Sequence, residues 1–197
     1  MARIRPGRAV RKINSQAWSR YSVKKPRKNF VKALPHTSLL VFNMGTRKDD
    51  FDIIMRLVCQ DNVQLRSNSL EAARQVSNKY LDREIGVQMY QYKIIPYPHN
   101  VLREKKFATG AGADRISQGM TLSFGRPTAV AARIFSGSTV FELKTYASHK
   151  KVGQVALHRA SDKLSGHYKI EVEQIAKKPA AAPAAPSRKE KEAAVVA

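Results

Sequence analysis

Several residue types are scarce, and each shortage excludes a class of protein. The chain of 197 residues has a single cysteine, Cys59, so an internal disulfide and a cysteine-rich metal site are both excluded. Its apolar neighbours predict a buried, unreactive thiol. No run reaches the roughly 18 consecutive apolar residues that a membrane span needs, since Arg56 interrupts the best candidate, Ile53–Cys59. The basic N-terminus has no apolar stretch after it, which argues against a secretory signal, and we expect a soluble cytosolic protein.

Acidic residues are also few. Only 15 Asp and Glu stand against 36 Lys and Arg, which gives a formal net charge of +21 and a pI near 10.4. Like charge at this density repels itself and destabilises an isolated folded chain. A polyanionic partner is the simplest explanation. About half of the excess lies in residues 1–32, which hold 11 cations and no acid.

Residues 1–32 predict a basic arm that binds nucleic acid; the alternative is a merely solvated tail. Trp18 and Tyr21 interleave with the cations, and Pro6 and Pro26 break the continuous amphipathic helix that a mitochondrial presequence would need. Guanidinium groups pair with phosphate oxygens, and aromatic rings stack on unpaired bases. The candidate nucleic-acid-binding residues of the arm are Arg3, Arg5, Arg8, Arg11, Lys12, Trp18, Arg20, Tyr21, Lys24, Lys25, Arg27 and Lys28.

At the other end, residues 176–197 are rich in alanine, proline and lysine and hold nothing large to bury, which predicts a disordered tail.

Residues 33–175 predict the folded core, in two units of similar order. In the first, Leu39–Asn43 and Ile53–Gln60 are predicted strands. A helix then begins with a capping box of Asn68 and Glu71 and ends at Gly86, before a strand over Val87–Tyr97.

The second unit begins with a predicted hairpin of Thr128–Phe135 and Thr139–Thr145. A helix over Lys150–Leu164 follows, and a strand over Tyr168–Ile175 ends the unit. The helix is closed by Gly166, and its predicted inward residues are Val152, Val155, Ala156 and Ala160. Together the units predict an α+β fold, a two-layer α/β sandwich with a mainly antiparallel sheet and two packed helices.

The second helix begins with His149, Lys150 and Lys151, although the helix dipole disfavours cations there by about 0.3–1 kcal/mol each. We therefore predict that Lys150 and Lys151 help to bind a phosphate group. The alternative is that they are exposed lysines tolerated at a small cost.

A long loop over residues 98–127 is not explained by folding, since loops beyond roughly 12–15 residues are usually functional or disordered. Its middle, Ala108–Ala113, has almost no side-chain bulk and lets a backbone approach another molecule closely. Arg115 stands where a dinucleotide fingerprint needs its third glycine, and no P-loop lysine follows. The five histidines lack metal-ligand spacing, so we predict no metal, no cofactor and no catalytic residues.

Four segments, Asn68–Arg74, Tyr97–Glu104, Ala108–Arg115 and Gly119–Met120, closely resemble the archaeal and eukaryotic large-subunit ribosomal protein family "L ten e", whose bacterial counterpart is "L sixteen". The resemblance covers about residues 1–175, and its loop favours an archaeal origin. It implies an α/β sandwich that binds large-subunit rRNA near the base of the central protuberance, beside the transfer-RNA corridor. It also implies that the protein orders RNA and does no chemistry, and that its partners are rRNA, transfer RNA and neighbouring ribosomal proteins, with no membrane and no homo-oligomer.

The resemblance further implies that the loop over Val101–Met120 points towards the peptidyl transferase centre. The candidate residues of this transfer-RNA loop are Arg103, Lys105, Lys106, Thr109, Gly110, Gly112, Asp114 and Arg115. Two other functions fit the charge: a nucleic-acid-processing enzyme with a glycine-rich lid loop, and a DNA-coating chromatin protein.

Overall fold

The computed structural model describes residues 13, 34–48, 50–105, 108, 110–117, 119–121 and 125–175. The predicted basic arm, apart from Ile13, and the predicted C-terminal tail lie outside the described residues. Within the described ranges, no helix has the length and apolar character that crossing a membrane requires.

Eight strands and three α-helices make up the described part of the chain. The strands are β1 Asn43–Gly45, β2 Ile53–Cys59, β3 Val63–Arg66, β4 Tyr90–Ile94, β5 Asn100–Glu104, β6 Arg126–Ile134, β7 Thr139–Thr145 and β8 Tyr168–Gln174. The helices are α1 Ser67–Glu84, α2 Ala113–Ile116 and α3 Lys150–Ser161, with short 3-10 turns at Val87–Met89 and Ala147–His149.

The strands form two sheets, and every pairing is antiparallel. The first sheet has the order β1-β4-β7-β2-β8, and the second has the order β3-β6-β5. The long helices α1 and α3 pack on each other; α3 also lies on β2, β7 and β8, and α1 on β3, β4 and β6. The predicted α+β class is confirmed, but the strands are divided between two sheets.

The predicted hairpin of Thr128–Phe135 with Thr139–Thr145 is wrong. β6 pairs with β3 and β5 in the second sheet, whereas β7 pairs with β2 and β4 in the first. The turn between them passes the chain from one sheet to the other. It is fixed by two backbone hydrogen bonds, from Gly137 N to Cys59 O at 2.8 Å and from Cys59 N to Ser138 O at 3.0 Å.

The segment between the two units also differs from the prediction. The predicted strand Val87–Tyr97 is a 3-10 turn followed by β4, which ends at Ile94, before Pro96 and Pro98. The predicted loop over residues 98–127 contains all of β5 and the first residues of β6. The connection without a strand therefore runs over residues 105–125.

The predicted capping box of α1 is absent. The helix begins after Arg66 with no side-chain capping bond. The Glu71 carboxylate instead accepts two hydrogen bonds from the Arg74 guanidinium, at 2.8 Å from Nε and 2.6 Å from Nη2. The helix ends near Gly86 as predicted, and after the C-cap residue Ile85 the glycine has a φ of +84°, but its ψ of 152° is extended and not that of a left-handed turn.

Helix α3 packs closely on the first sheet through Gly153. A Cβ at this position would lie 3.1 Å from Leu143 Cδ2 and closer still to the Met55 side chain, so a larger residue would require these buried side chains to move. The predicted inward residues Ala156 and Ala160 are buried, but Val152 is only half-buried and Val155 is 40 % exposed. Their expected places are taken by Gly153 and Leu157.

One apolar core joins both sheets to the helices. Leu70, Ala73 and Leu81 of α1 meet strand residues of both sheets, such as Leu57 and Leu65. Fully burying a leucine of this kind contributes about 1.5–3 kcal/mol to the free energy of unfolding. The core thus fixes the two sheets relative to each other and places the loop over residues 105–125 at one end of the second sheet.

Candidate nucleic-acid interface

The second sheet carries an excess of positive charge. Its three strands hold four arginines and one acid, Glu104. The arginines are distributed over all three strands: Arg66 in β3, Arg103 in β5, and Arg126 and Arg133 in β6. Arg126 is exposed and the other three are half-buried. Pairing therefore collects cations that lie up to 67 positions apart in the sequence.

One face of this sheet is polar. Arg66 and Asn100 both pair with Ala131, and Gln64 pairs with Arg133, so these side chains share a face. Asn100 Nδ2 donates a 2.7 Å hydrogen bond to Gln64 Oε1, across the small Ala131 on the central strand. The opposite face carries Val63, Leu65, Ala132 and Ile134, which join the core. The sheet thus has an apolar side for folding and a polar, cationic side.

The connection over residues 105–125 is the tip of a hairpin formed by β5 and β6. A bulge at Thr128 shifts the register, and its hydroxyl donates a 3.1 Å hydrogen bond to the Leu102 carbonyl. At the base, a Cβ on Gly125 would lie 2.6 Å from the Glu104 carbonyl carbon. Glycine is therefore needed where the two limbs of the loop meet.

Glycine serves another purpose at the tip of the loop. Gly110 and Gly112 have φ values of +123° and +76°, which disfavour other residues, yet a Cβ on either would meet nothing within 4 Å. Gly112 precedes the four-residue helix α2, whose Asp114 and Arg115 are exposed. The loop thus displays its backbone and a charged turn on an open surface.

Other loop residues add to this surface. Ile116 and Met120 are 80 % and 64 % exposed, although both are large and apolar. Lys105 Nζ donates a hydrogen bond to the Thr121 carbonyl and so ties the two limbs together near the base. Large apolar side chains held out from a charged loop are typical of a surface that a partner covers.

Several predicted site residues lie outside the described residues. These are all twelve residues of the arm named above, together with Lys106 and Thr109 of the loop. Lys150 and Lys151 are described and lie fully on the surface, in the first turn of α3, which has no side-chain cap. They are remote in sequence from the hairpin and belong to the helical layer.

The first sheet provides a contrast, because its charges nearly cancel. Its five strands carry four cations, Arg56, Lys93, Lys144 and Lys169, and three acids, Glu142, Glu171 and Glu173. The register aligns Lys93, Glu142, Arg56 and Glu171 in one row of alternating sign across four strands. Arg56 lies 2.6 Å from Glu173 and 3.8 Å from Glu142. The face of this sheet away from the helices is thus close to neutral.

Groups with shifted pKa values are explained by packing. Burial raises the pKa of Cys59, as predicted, and the thiol donates a 3.1 Å hydrogen bond to the Asp61 carbonyl. Burial likewise raises the pKa of Tyr92, whose hydroxyl lies 2.9 Å from that of Ser77. Hydrogen bonds from the His167 ring and backbone lower the pKa of Asp61 and join the β2–β3 turn to β8.

In the part of the chain that the structure describes, no three His, Cys, Asp or Glu side chains come together to hold a metal ion. The arrangement that these residues do build is a cationic sheet continued by an open loop. This arrangement suits contact with a polyanion.

Comparison with known proteins identifies the family. The model of the family described as ribosomal protein L16p/L10e matches residues 18–171. The chain belongs to this family. Among its relatives, the large ribosomal subunit protein uL16 of Archaeoglobus fulgidus is 40 % identical over 159 residues, which cover 81 % of this chain and 91 % of that protein.

Two further archaeal members of the L16p/L10e family show similar agreement. The large ribosomal subunit protein uL16 of Thermoplasma acidophilum is 39 % identical over 84 % of this chain and 90 % of its own length. That of Methanocella arvoryzae is 37 % identical over 88 % of this chain and 96 % of its own length. The predicted family resemblance is thereby confirmed.

Sequence reasoning missed three residues of the interface, Arg66, Arg126 and Arg133, and the close approach at Gly125. Arg133 stands in the predicted strand Thr128–Phe135, which was assigned to the wrong partner, and Arg126 stands in the segment predicted as a loop. Arg66 closes a strand of four residues that was not predicted. A search for strands with a polar face beside the long loop would have found all three.

Proposed function

We propose that this chain is a structural constituent of the large ribosomal subunit, in the cytoplasm, and binds large-subunit rRNA. Its membership of the L16p/L10e family and the names of its archaeal relatives support this assignment. The observation that carries it in the structure is the unequal distribution of charge. The second sheet holds four cations to one acid, while the first sheet holds four to three.

Within this proposal the basic arm supplies most of the non-specific affinity. Its arginines and lysines neutralise phosphates, and Trp18 and Tyr21 stack on unpaired bases. Lys150 and Lys151 add a phosphate contact on the helical layer. The polar face of the second sheet provides the shape-dependent part of the affinity, because strands hold its arginines in fixed positions.

The hairpin loop serves transfer RNA. Its backbone glycines and exposed Arg115 are placed on an open tip, and Arg103 lies at its base. In this proposal the tip lies near the acceptor ends of transfer RNA at the peptidyl transferase centre, and Lys105, Lys106, Thr109, Gly110, Gly112 and Asp114 complete it. The chain orders RNA and transfers no group itself, acts as one copy beside neighbouring ribosomal proteins, and needs no cofactor.

A salt titration tests the arm in the full-length protein. We compare Arg3, Arg5, Arg8 and Arg11 changed to glutamine with a matched variant in which Lys177, Lys178, Arg188 and Lys189 of the tail are changed to glutamine. Each lost phosphate contact reduces the slope of log affinity against log salt by about 0.7–0.9. The arm variant should lose about 3 from the slope for large-subunit rRNA, and the tail variant should lose little. If the arm variant and the tail variant gave equal slopes, the arm would not be part of the interface.

Sedimentation distinguishes the proposed ribosomal function from the two alternative functions. At moderate salt, the chain should migrate with the large ribosomal particle in a cell lysate. A nucleoid position would favour a DNA-coating protein, and a free position would favour an enzyme with a lid loop. The loop is tested in reconstituted particles, where Arg115→Gln should weaken transfer-RNA binding and Lys93→Gln, on the neutral face of the first sheet, should not.

A further inference from the structure

A groove on the helical side of the molecule is not used by the proposed interface. It lies between α3 and the edge strand β8 and has a volume of about 480 Å³. Its lining consists of Gln154, Val155, His158, Arg159 and Ile170, and most of the exposed lining is apolar. Val155 is 40 % exposed although it is an aliphatic residue in the middle of a helix. A pocket of this size with a mostly apolar lining can hold a small ligand.

The polar rim of the groove is held in place by a stacking contact. The Arg159 guanidinium lies 3.9 Å from the centre of the Tyr80 ring, and Arg83 approaches the same ring at 5.6 Å. Stacking fixes the plane of the Arg159 group, which also lines the groove. A cation that is already oriented loses less freedom when it binds an anion.

The surroundings of the groove favour a polyanion. Lys151, Val155 and Arg159 follow one another at intervals of four on α3, so two cations flank the apolar floor about 12 Å apart along the helix. Asp162 is the acid nearest in sequence, and it lies 3.6 Å from His158. The acids of β8, Glu171 and Glu173, share the opposite face of the sheet with Arg56. The groove is thus apolar within and positive along its rim.

We propose that this groove holds one unpaired nucleotide of large-subunit rRNA. The base lies between Val155 and Ile170, the Gln154 amide bonds its edge, and Arg159 and Lys151 bind the phosphates on either side. This inference rests on the proposed rRNA-binding function and adds a site to it. An acidic peptide is the less favoured occupant, because its carboxylates could pair with Arg159 and Lys151 but would offer no flat ring to the apolar floor of Val155 and Ile170.

Chemical probing of the rRNA tests the site with the full-length protein. The probe is in-vitro transcribed large-subunit rRNA of Archaeoglobus fulgidus, the source of a 40 % identical relative. Val155→Glu places bulk and negative charge in the groove. Val87→Glu is the matched control, since Val87 is 52 % exposed on a turn that hydrogen-bonds to Thr46, beyond β1, at the opposite edge of the first sheet.

The wild type and Val87→Glu should protect the base of an unpaired nucleotide that Val155→Glu leaves reactive. Loss of one stacked base should weaken binding about ten-fold. Gln154→Leu, which retains the helix and the volume, is a second variant and should also lose the protection. Thermal unfolding of each variant reports whether it has folded.

Three outcomes overturn the site. If both valine variants protect the same nucleotides as the wild type, no base occupies the groove. A photo-crosslinking amino acid at position 155 should capture an rRNA nucleotide in assembled subunits, and capture of a protein instead would assign the groove to a peptide. Failure of the wild-type chain to bind the rRNA would overturn the proposed function as well, and so differs from the other two results.

Discussion

Gly125 lies against the backbone of Glu104, so that a Cβ on the glycine would be 2.6 Å from the Glu104 carbonyl carbon and 2.9 Å from its nitrogen. This contact closes the base of the loop over residues 105–125. The carbonyl carbon and nitrogen of Glu104 are backbone atoms and cannot rotate away as a side chain would. A side chain at position 125 would therefore separate β5 from β6. The position of the loop thus depends on residue 125 being a glycine, which has a hydrogen atom where every other residue has a Cβ.

Gly125→Ala should therefore destabilise the fold by about 1–3 kcal/mol through overpacking and should weaken binding to large-subunit rRNA. Gly137→Ala is the comparison, since a Cβ there meets nothing within 4 Å and only its φ of +82° is strained. Urea unfolding and a filter-binding assay measure the two effects. We expect Gly137→Ala to reduce stability without reducing RNA affinity; an RNA affinity of Gly125→Ala equal to that of the wild type would contradict the role of the loop base.

The Glu71–Arg74 pair predicts a pH dependence. Hydrogen bonds from Arg74 hold the pKa of the Glu71 carboxyl below its usual value. A carboxyl of lowered pKa stabilises the folded state above its unfolded pKa, and this contribution is lost as the pH falls through the folded pKa. Glu71→Gln should lower the free energy of unfolding by about 1.5 kcal/mol at pH 7, and the difference should shrink towards pH 3.

Urea titrations of both proteins at several pH values measure this difference. Glu84→Gln is the control on the same helix, because Glu84 pairs with its neighbour Arg83 on the exposed surface and should contribute less than about 1 kcal/mol. A Glu71→Gln effect that does not change with pH would show that the pair acts through packing alone.

Cys59 should be protected from thiol reagents in the folded protein. Its side chain is fully buried in the core, and burial raises the pKa of the thiol. Reaction with a disulfide reagent at pH 8 should require opening of the core, so its rate should rise in proportion to the unfolded fraction as urea is added. Rapid labelling without urea would contradict the buried position.

The parts of the fold that were predicted from sequence are those with strong local patterns. β2 is an apolar run broken only by Arg56, and the bounds predicted for β7 match the structure. β3 was missed because it has four residues and carries Gln64 and Arg66 on its polar face. The division into two sheets was missed because a short turn between two strands normally predicts a hairpin. The hydrogen bonds between the backbone of this turn and Cys59 cannot be predicted from the residues of the turn.

Some residues of the candidate site could likewise be predicted from local sequence patterns, and others could not. The loop was found because a run without side-chain bulk stands out in the sequence. Three of the four arginines of the second sheet were missed, because residues such as Arg66 and Arg133 come close only after β3 pairs with β6. When residues come together only through the pairing of strands that are distant in the sequence, no local sequence pattern identifies them as one site.

The central claim is that RNA lies on the second sheet and not on the outer face of the first. Two double variants that each remove two cations test it directly: Arg126→Gln with Arg133→Gln, and Lys93→Gln with Lys144→Gln. The measurement is the salt dependence of affinity for large-subunit rRNA. The arginine variant should lose about 1.5 from the log–log slope, and the lysine variant should retain the wild-type slope. Equal losses from both variants, or none from the arginine variant, would contradict the account.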